Sequence, residues 1–134
     1  MITPLKLQVR FADIDLMGHV NNAVYLNYFE QARLYYFEQL LGGLWNWKAF
    51  GIILKVNQVE YHHPIFLQDH PGIRVKLKHL GTKSFTLAYE LYVGQELRTT
   101  GHSVIVCYDF TRNETREVYP ELREALMKLE KTEA

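Results

Sequence analysis

A polar loop near the start of the chain holds two acids, a glycine, a histidine and two asparagines, directly before a long apolar stretch with helical spacing. These residues are Asp13, Asp15, Gly18, His19, Asn21 and Asn22. A carboxylate beside the N-terminus of a helix faces unpaired backbone N–H groups and the positive end of the helix dipole. It can attack or deprotonate a reactant while those N–H groups polarise a neighbouring carbonyl. The loop therefore predicts an acyl-transfer or hydrolysis site.

The acids and asparagines of this loop also have structural interpretations. Aspartate in a loop commonly accepts hydrogen bonds from its own backbone, so both Asp13 and Asp15 can cap turns. Of the two, Asp13 is expected to be structural and to hold the loop. Asn21 or Asn22 is a preferred N-cap residue for the helix that follows.

The glycine and the histidines of the chain also allow more than one interpretation. Gly18 permits a positive φ or a close approach of substrate. His19 is either a loop-stabilising histidine bonded to backbone or a catalytic group. His62 and His63 invite a metal interpretation, but neighbours in a strand point to opposite faces and cannot chelate one ion. With a lone Cys107 expected in a strand, the sequence predicts no metal site.

Periodicity along the chain predicts the elements that must position this loop. Alternating apolar and polar residues predict strands over residues 5–11 and 73–80, and β-rich composition with flanking turns predicts strands over residues 51–63, 84–93 and 96–110. Three-to-four spacing predicts a long helix from about residue 22 to residue 41, ended by Gly42-Gly43, and a short helix from Pro120 to Leu129. Consecutive strands joined by tight turns are antiparallel neighbours, and the long helix must lie across them. The expected class is α+β, with one helix wrapped by a curled sheet.

The long helix carries an unusually wide apolar stripe. One face holds Tyr25, Tyr28, Phe29, Ala32, Tyr36 and Leu40. The stripe is widened by Leu26, Leu34, Phe37 and Leu41. A helix that is apolar over so much of its circumference is expected to be surrounded by other structure.

The composition is that of an ordinary globular chain of 134 residues, with 48% hydrophobic and 22% charged residues. Its length predicts a single domain over residues 1–134. Lys and Arg together number 15, as do Asp and Glu, so we expect no nucleic-acid partner and no general attraction to membranes. No apolar run has the length of a membrane span, and the first residues lack the features of a signal peptide. A lone cysteine fits a reducing compartment, and the cytoplasm is the expected location.

Three segments of the chain together resemble one family. Residues 13–30, which include Asp15-Leu16-Met17-Gly18-His19-Val20-Asn21-Asn22, look like the signature of the 4-hydroxybenzoyl-CoA thioesterase family. Residues 60–65 resemble its strand end, with Tyr61 three residues before Pro64, and residues 81–85 resemble its turn before the fourth strand. The likeness covers roughly residues 5–125. It implies the hotdog fold, in which a five-stranded antiparallel sheet wraps one long central helix.

The resemblance implies an acyl-CoA thioesterase, which hydrolyses a thioester to a free acid and coenzyme A. The reaction needs no metal and no cofactor, since coenzyme A is part of the substrate. The family also implies a homodimer whose sheets join edge to edge, often paired again into a homotetramer. Two active sites would lie at the dimer interface, and part of the tyrosine-rich helix stripe would line an acyl tunnel.

The resemblance also implies catalytic residues. Asp15 corresponds to the family's catalytic acid, acting as nucleophile or as general base. The amide that polarises the thioester carbonyl falls near Asn22, at the start of the helix. Gly18 and His19 shape the loop between them, and His19 is also a candidate for a direct catalytic role. Glu30 is the second candidate acid, because a helix glutamate is catalytic in another hotdog thioesterase branch.

Substrate-binding residues are implied in the same way. Gly18, Val20 and Tyr25 are expected to contact the substrate near the loop. Lys83 lies in the turn that often meets the nucleotide end of coenzyme A in this family. The stretch from His19 to Asn22 also resembles plant acyl-carrier-protein thioesterases, although Met17 stands where those enzymes carry an asparagine.

Two other functions stay open. A hotdog hydratase or dehydratase pairs an acid with a histidine, which Asp15 and His19 can imitate. A non-catalytic acyl-CoA-binding module would hold the thioester without turnover, with Asp15 turned away from the helix end. The acyl chain, and the choice between coenzyme A and a carrier protein, depend on a tunnel that sequence alone does not describe.

Overall fold

A computed structural model describes residues 2–43 and 46–133 of the chain, with side chains described as far as residue 129. The elements in chain order are β1 (Leu5–Lys6), α1 (Val24–Leu41), β2 (Ile52–Tyr61), β3 (Pro71–Leu80), β4 (Ser84–Val93), β5 (Glu96–Asp109), β6 (Glu114–Thr115) and α2 (Pro120–Glu133), with one turn of 3₁₀ helix at Phe11–Asp13. The strand order in the sheet is β1-β3-β4-β5-β2, and every pairing is antiparallel. The short β6 pairs with β5 and makes six strands where five were predicted.

The predicted antiparallel neighbours β3, β4 and β5 form the centre of the sheet. Gly94, at φ +61°, supplies the left-handed residue that the tight β4–β5 turn requires. β2 pairs with the far side of β5, so that Ile52 lies opposite Cys107 and Tyr61 lies opposite Thr99. This register places the end of β2 beside the start of β5, which is the end of the sheet that carries the site.

The helix α1 packs its predicted stripe on the sheet. Its buried residues are Tyr25, Tyr28, Phe29, Ala32, Tyr36 and Phe37. The Phe29 ring stacks on the Tyr89 ring with centroids 4.2 Å apart. This approach depends on Gly101, because a Cβ there would lie 2.6 Å from the Phe29 ring and would also clash with the Gln58 carbonyl oxygen. The α+β hotdog architecture predicted from the sequence is therefore confirmed.

The N-terminal segment differs from the prediction. Only Leu5–Lys6 of the strand expected over residues 5–11 is a strand, and Phe11, expected on the buried face, is 84% exposed. The predicted alternation of burial nevertheless continues beyond the strand, with Leu7 and Val9 buried and Gln8 and Arg10 exposed. It ends at Phe11, where the 3₁₀ turn at Phe11–Asp13 directs Asp13 inward, to 2% exposure.

The edge of the sheet at β2 and one side of α1 leave apolar side chains exposed. These are Ile53, Leu54 and Val56 on β2 and Leu26 and Leu34 on α1. Two residues that widen the predicted stripe, Leu26 and Leu34, are therefore not covered by the described chain itself. No helix of the described residues is long and apolar enough to cross a membrane.

Candidate active site

The predicted catalytic loop is a small hairpin. Ile14 and Val20 form an antiparallel bridge, and the Asp15 N–H donates to the His19 carbonyl oxygen at 2.8 Å. The Gly18 N–H closes the turn by donating to the Asp15 carbonyl oxygen at 3.1 Å. Gly18 has φ +82°, which confirms the predicted positive φ. The hairpin makes Asp15 and His19 cross-strand neighbours although three residues separate them in sequence.

The Asp15 carboxylate is held by the backbone of its own turn. Its Oδ1 accepts the Met17 N–H at 2.9 Å and, over a long 3.4 Å, the His19 N–H. Its Oδ2 has no hydrogen-bond partner among the residues that the structure describes. Asp15 is half-buried, so one oxygen orients the carboxylate and the other is available to a reactant.

Asp13 is the anchor of the loop, in agreement with its predicted structural role. Its Oδ2 accepts the Arg10 N–H and the Tyr28 hydroxyl, each at 2.9 Å, and the Arg10 guanidinium donates to Oδ1 at 3.1 Å. Burial would raise the pKa of Asp13, but these hydrogen bonds and the charge of Arg10 outweigh it and lower the pKa below the ordinary 3.8. Burial and the Asp13 carboxylate raise the pKa of Tyr28, so its hydroxyl stays a donor at neutral pH.

The backbone leading into α1 leaves one amide unpaired. The Asn21 N–H donates to the Asp13 carbonyl oxygen at 2.8 Å, and the Ala23 N–H and the Val24 N–H donate to the Asn21 Oδ1 and carbonyl oxygen, each at 2.9 Å. The Asn22 N–H has no acceptor within the described chain. Because the Asn21 carbonyl of the same peptide group accepts a hydrogen bond, this N–H is a polarised donor.

The helix start differs slightly from the expectation. The helix begins at Val24 and not at Asn22, and its N-cap position, Ala23, has no side-chain cap. The predicted asparagine N-cap is therefore wrong: the Asn21 side chain accepts the Ala23 N–H and holds the turn that precedes the helix. Asn22 is exposed and lies in the turn, with its amide free for a ligand.

A cavity of about 200 Å³ lies beside this amide. Its lining residues are His19, Val20, Asn22, Tyr25, Tyr61, His62, His63 and Pro64. Four of the predicted site residues are thus brought together, namely His19, Val20, Asn22 and Tyr25. Asp15 and Gly18 do not line the cavity themselves but belong to the hairpin whose other strand forms its wall.

The segment after β2 forms the opposite wall of the cavity. The His62 and His63 amides both donate to the Arg98 carbonyl oxygen, and the Arg98 guanidinium donates to the Pro64 carbonyl oxygen at 2.6 Å. Arg98 also pairs with Asp69 at 3.3 Å, so the wall is tied to the start of β5. Sequence analysis missed Arg98, because no local pattern marks a residue more than thirty positions from the carbonyl it holds.

The histidines of the cavity have separate partners. The His62 ring accepts from or donates to the Thr100 hydroxyl at 2.9 Å, and the His19 ring packs edge-on against Phe66 at 5.4 Å. Within the described residues, no three His, Cys, Asp or Glu side chains converge as a metal site would require. Glu30, the second candidate acid, is exposed on α1 and does not line this cavity.

Lys83 lies far from the cavity within the chain. It sits in the β3–β4 turn, where its carbonyl oxygen accepts the Cys107 N–H at 3.0 Å. Cys107 pairs with Ile52 at one end of β2, whereas the cavity adjoins Tyr61 at the other end. The 10 residues of β2 span roughly 30 Å. One subunit therefore does not bring Lys83 to the other predicted residues.

Known proteins share both the sequence pattern and the fold of this chain. Residues 9–126 match the model of the thioesterase-like superfamily. The long-chain acyl-CoA thioesterase FadM of Escherichia coli is 30% identical over 131 residues, 94% of this chain and 98% of FadM. The Bacillus subtilis protein YsmA is 32% identical over 84 residues, a match that spans 63% of this chain but only 56% of YsmA. A thioesterase from Thermus thermophilus, solved with coenzyme A and Zn, superposes with a TM-score of 0.85 at 30% identity and covers 96% of this chain and 93% of that one.

Proposed function

This chain belongs to the thioesterase-like superfamily and is a hotdog-fold thioester hydrolase, and we propose that it cleaves acyl-coenzyme A to a free carboxylic acid and coenzyme A. FadM is named for long-chain acyl-CoA, and the Thermus protein binds coenzyme A. The observation that carries the proposal is the unpaired Asn22 N–H beside the cavity, with Asp15 in the adjoining hairpin. An N–H group without an acceptor and an oriented carboxylate are the two groups that thioester hydrolysis needs.

The Asn22 N–H polarises the thioester carbonyl in the proposed mechanism. It donates to the carbonyl oxygen as negative charge develops there, an interaction typically worth about 10²–10³ in rate. The Asn22 residue is held on both sides by the bonds of Asn21 and Ala23, so this donor needs little reorganisation when the substrate arrives. The contribution comes from the backbone, so the Asn22 side chain itself is not required.

Asp15 acts by one of two routes, and both use the carboxylate oxygen that has no hydrogen-bond partner within the described chain. Its Oδ2 either removes a proton from the water that adds to the carbonyl carbon or adds to that carbon itself and forms an anhydride. Coenzyme A leaves as a thiolate and takes up a proton, and in the second route water then cleaves the anhydride. Neither route requires a metal or a cofactor. His19 holds Asp15 through its backbone and forms the cavity wall with Val20 and Tyr25, where the thioester group lies.

We further propose that the active unit is a homodimer. The open edge of β2 carries Ile53, Leu54 and Val56, which are 36%, 45% and 40% exposed. A two-fold pairing of β2 with its copy covers these residues and runs the two strands antiparallel. The Tyr61 end of one subunit then lies beside the Ile52 end of its partner. This arrangement brings a Lys83 turn towards each cavity from the other subunit, where a lysine can bind the phosphates of coenzyme A.

The proposal is tested by following thiol release from acetyl-CoA, palmitoyl-CoA and 4-hydroxybenzoyl-CoA. Asp15→Asn keeps an oxygen that can accept the Met17 N–H but removes the charge, and Asp15→Ala removes both. We expect each variant to lose about 10²–10⁴ of kcat on whichever thioester the wild type hydrolyses. Asp109→Asn is the matched control, since the Asp109 Oδ1 accepts the Thr111 and Arg112 amides at 2.9 and 3.1 Å in the same kind of turn, away from the cavity of its own chain.

The outcomes separate the candidate functions. Activity that survives in both Asp15 variants would contradict the role of Asp15 and favour Glu30 as the catalytic acid. A wild type that binds these thioesters without releasing thiol would contradict hydrolysis and favour a binding module. A loss of activity in Asp109→Asn equal to that in Asp15→Asn would show that turn geometry, and not the Asp15 carboxylate, carries the effect.

A further inference from the structure

The hydroxyl of Tyr61 binds the residue that carries the unpaired amide. Tyr61 ends β2, and its hydroxyl donates to the Asn22 carbonyl oxygen at 2.8 Å across 39 residues of sequence. Its ring packs edge-on against Tyr25 with centroids 4.9 Å apart. Tyr61 is 46% exposed and lines the cavity, so the contact is made at the site itself.

This hydrogen bond completes the support of Asn22. On the N-terminal side, Asn21 is tied to the Asp13 carbonyl oxygen at 2.8 Å. On the C-terminal side, the peptide group of Asn22 and Ala23 is held at both ends: the Ala23 N–H donates to the Asn21 Oδ1 at 2.9 Å, and the Asn22 carbonyl oxygen accepts the Tyr61 hydroxyl, its one partner within the described chain. The Tyr61 bond ties this turn to β2, and so it fixes the position of Asn22 and its N–H relative to the opposite wall of the cavity.

Tyr61 is not placed to act as a proton donor to the substrate. A phenol has one donor proton, and here that proton is committed to the Asn22 carbonyl oxygen. Burial raises the pKa of Tyr61, so the hydroxyl keeps this proton throughout the neutral range. The effect of Tyr61 on the reaction must therefore pass through Asn22.

We propose that Tyr61 is a positioning residue for the oxyanion-binding amide of Asn22, an inference that rests on the proposed thioesterase function. A donor that is oriented before the substrate binds contributes more to the transition state than to the ground state. Removing the Tyr61 hydroxyl then lowers kcat and leaves KM nearly unchanged. The ring, which forms the cavity wall and packs on Tyr25, stays in place in phenylalanine.

The test compares Tyr61→Phe with Tyr35→Phe on the acyl-CoA that the wild type hydrolyses fastest. Tyr35 is the matched control because its hydroxyl also donates to a backbone carbonyl, that of Thr3, at 2.8 Å, on a part of α1 away from the cavity. We expect kcat to fall by about 10- to 100-fold in Tyr61→Phe, with KM changed by less than about twofold, and no change in Tyr35→Phe. Equal rates in the two variants would overturn the proposal while wild-type activity still upheld the proposed function. An inactive wild type would instead refute the proposed function.

A nuclear magnetic resonance experiment measures the chemical shift of the Asn22 amide, which separates a local effect on Asn22 from a general loss of stability. The ¹⁵N–¹H resonance of Asn22 is followed while a coenzyme A trifluoromethyl ketone, which forms a tetrahedral adduct, is added. In the wild type we expect this amide proton to move downfield on binding, and in Tyr61→Phe to move less. An Asn22 resonance in the wild type that does not respond to the bound ketone would overturn the proposal even if Tyr61→Phe proved too unstable to study.

Discussion

Tyr28→Phe tests the buried anchor of the catalytic loop. It removes the hydroxyl that donates to the Asp13 carboxylate at 2.9 Å and leaves a ring that fits the same 2% exposed site. A hydrogen bond to a charged acceptor contributes about 1.5–3 kcal/mol to stability. Because Asp13 is buried, water cannot replace the lost donor at little cost, and we expect the free energy of unfolding to fall by about 2 kcal/mol.

The melting temperature follows from the length of the chain. An unfolding entropy of about 2.1 cal/mol/K per residue gives about 0.28 kcal/mol/K for 134 residues. A loss of about 2 kcal/mol therefore corresponds to a fall in Tm of roughly 7 °C. The measurement is thermal unfolding at pH 7 and at a fixed protein concentration, since the proposed dimer would couple Tm to concentration.

Tyr92→Phe is the matched control for this prediction. The Tyr92 hydroxyl also donates to a carboxylate, Glu90 Oε2 at 3.2 Å, but both residues are only half-buried. We expect its loss to change the free energy of unfolding by less than about 0.5 kcal/mol. Equal falls in Tm for Tyr28→Phe and Tyr92→Phe would refute the reasoning that burial strengthens the Asp13 contact.

The hydrogen bond between Tyr28 and Asp13 has a defined pH dependence. The pKa of Asp13 is lower in the folded protein than its ordinary value of 3.8, so ionised Asp13 stabilises the fold fully above that pH. The stabilisation is lost as the pH falls below 3.8 towards the folded pKa. The difference in Tm between wild type and Tyr28→Phe is therefore complete at pH 7 and shrinks in acid. A difference that grew on acidification would contradict the assignment to ionised Asp13.

Two further predictions concern the proposed homodimer. Lys83→Ala is expected to raise KM for acyl-CoA by about 3- to 10-fold with kcat unchanged, and to leave KM for the phosphate-free acyl-pantetheine unchanged; an equal rise for both substrates would contradict phosphate binding. Val56→Lys, on the open edge of β2, is expected to give a monomer by light scattering and to abolish thiol release, whereas Met127→Lys, a similarly exposed apolar residue on α2 at 44%, keeps the dimer. A dimeric Val56→Lys would place the interface elsewhere.

Several elements were predictable because their signals are local. The turns at residues 81–83 and 94–95 located β4 at Ser84–Val93, as predicted, and Gly42-Gly43 located the end of α1, where Gly42 has φ +79°. The three-to-four spacing of α1 correctly identified most of its buried face. Each of these patterns depends on residues within one or two turns of chain, where sequence and conformation are directly coupled.

The predictions failed where a distant partner competes with the local pattern. Alternation predicted a buried Phe11, but burial alternates only through Arg10, and the bonds of Asp13 to Arg10 and Tyr28 turn the chain at Phe11. The helix was expected to start near Asn22 but starts at Val24, because the Asn21 side chain and carbonyl oxygen accept the Ala23 and Val24 N–H groups. In both places, a polar residue makes hydrogen bonds that the periodicity of apolar residues does not predict.

The sequence by itself determined the α+β class and the loop that carries Asp15, because residue types and short spacings specify turns and strands, and the resemblance of three short segments implied the family and its hotdog fold. Only the tertiary structure decided which amide is free, that Tyr61 holds Asn22, and that Arg98 holds the cavity wall. It also decided that Lys83 lies at the opposite end of β2 from the cavity. These relations join residues tens of positions apart, and they depend on strand order and register, which are set by packing of the whole sheet and not by any one segment.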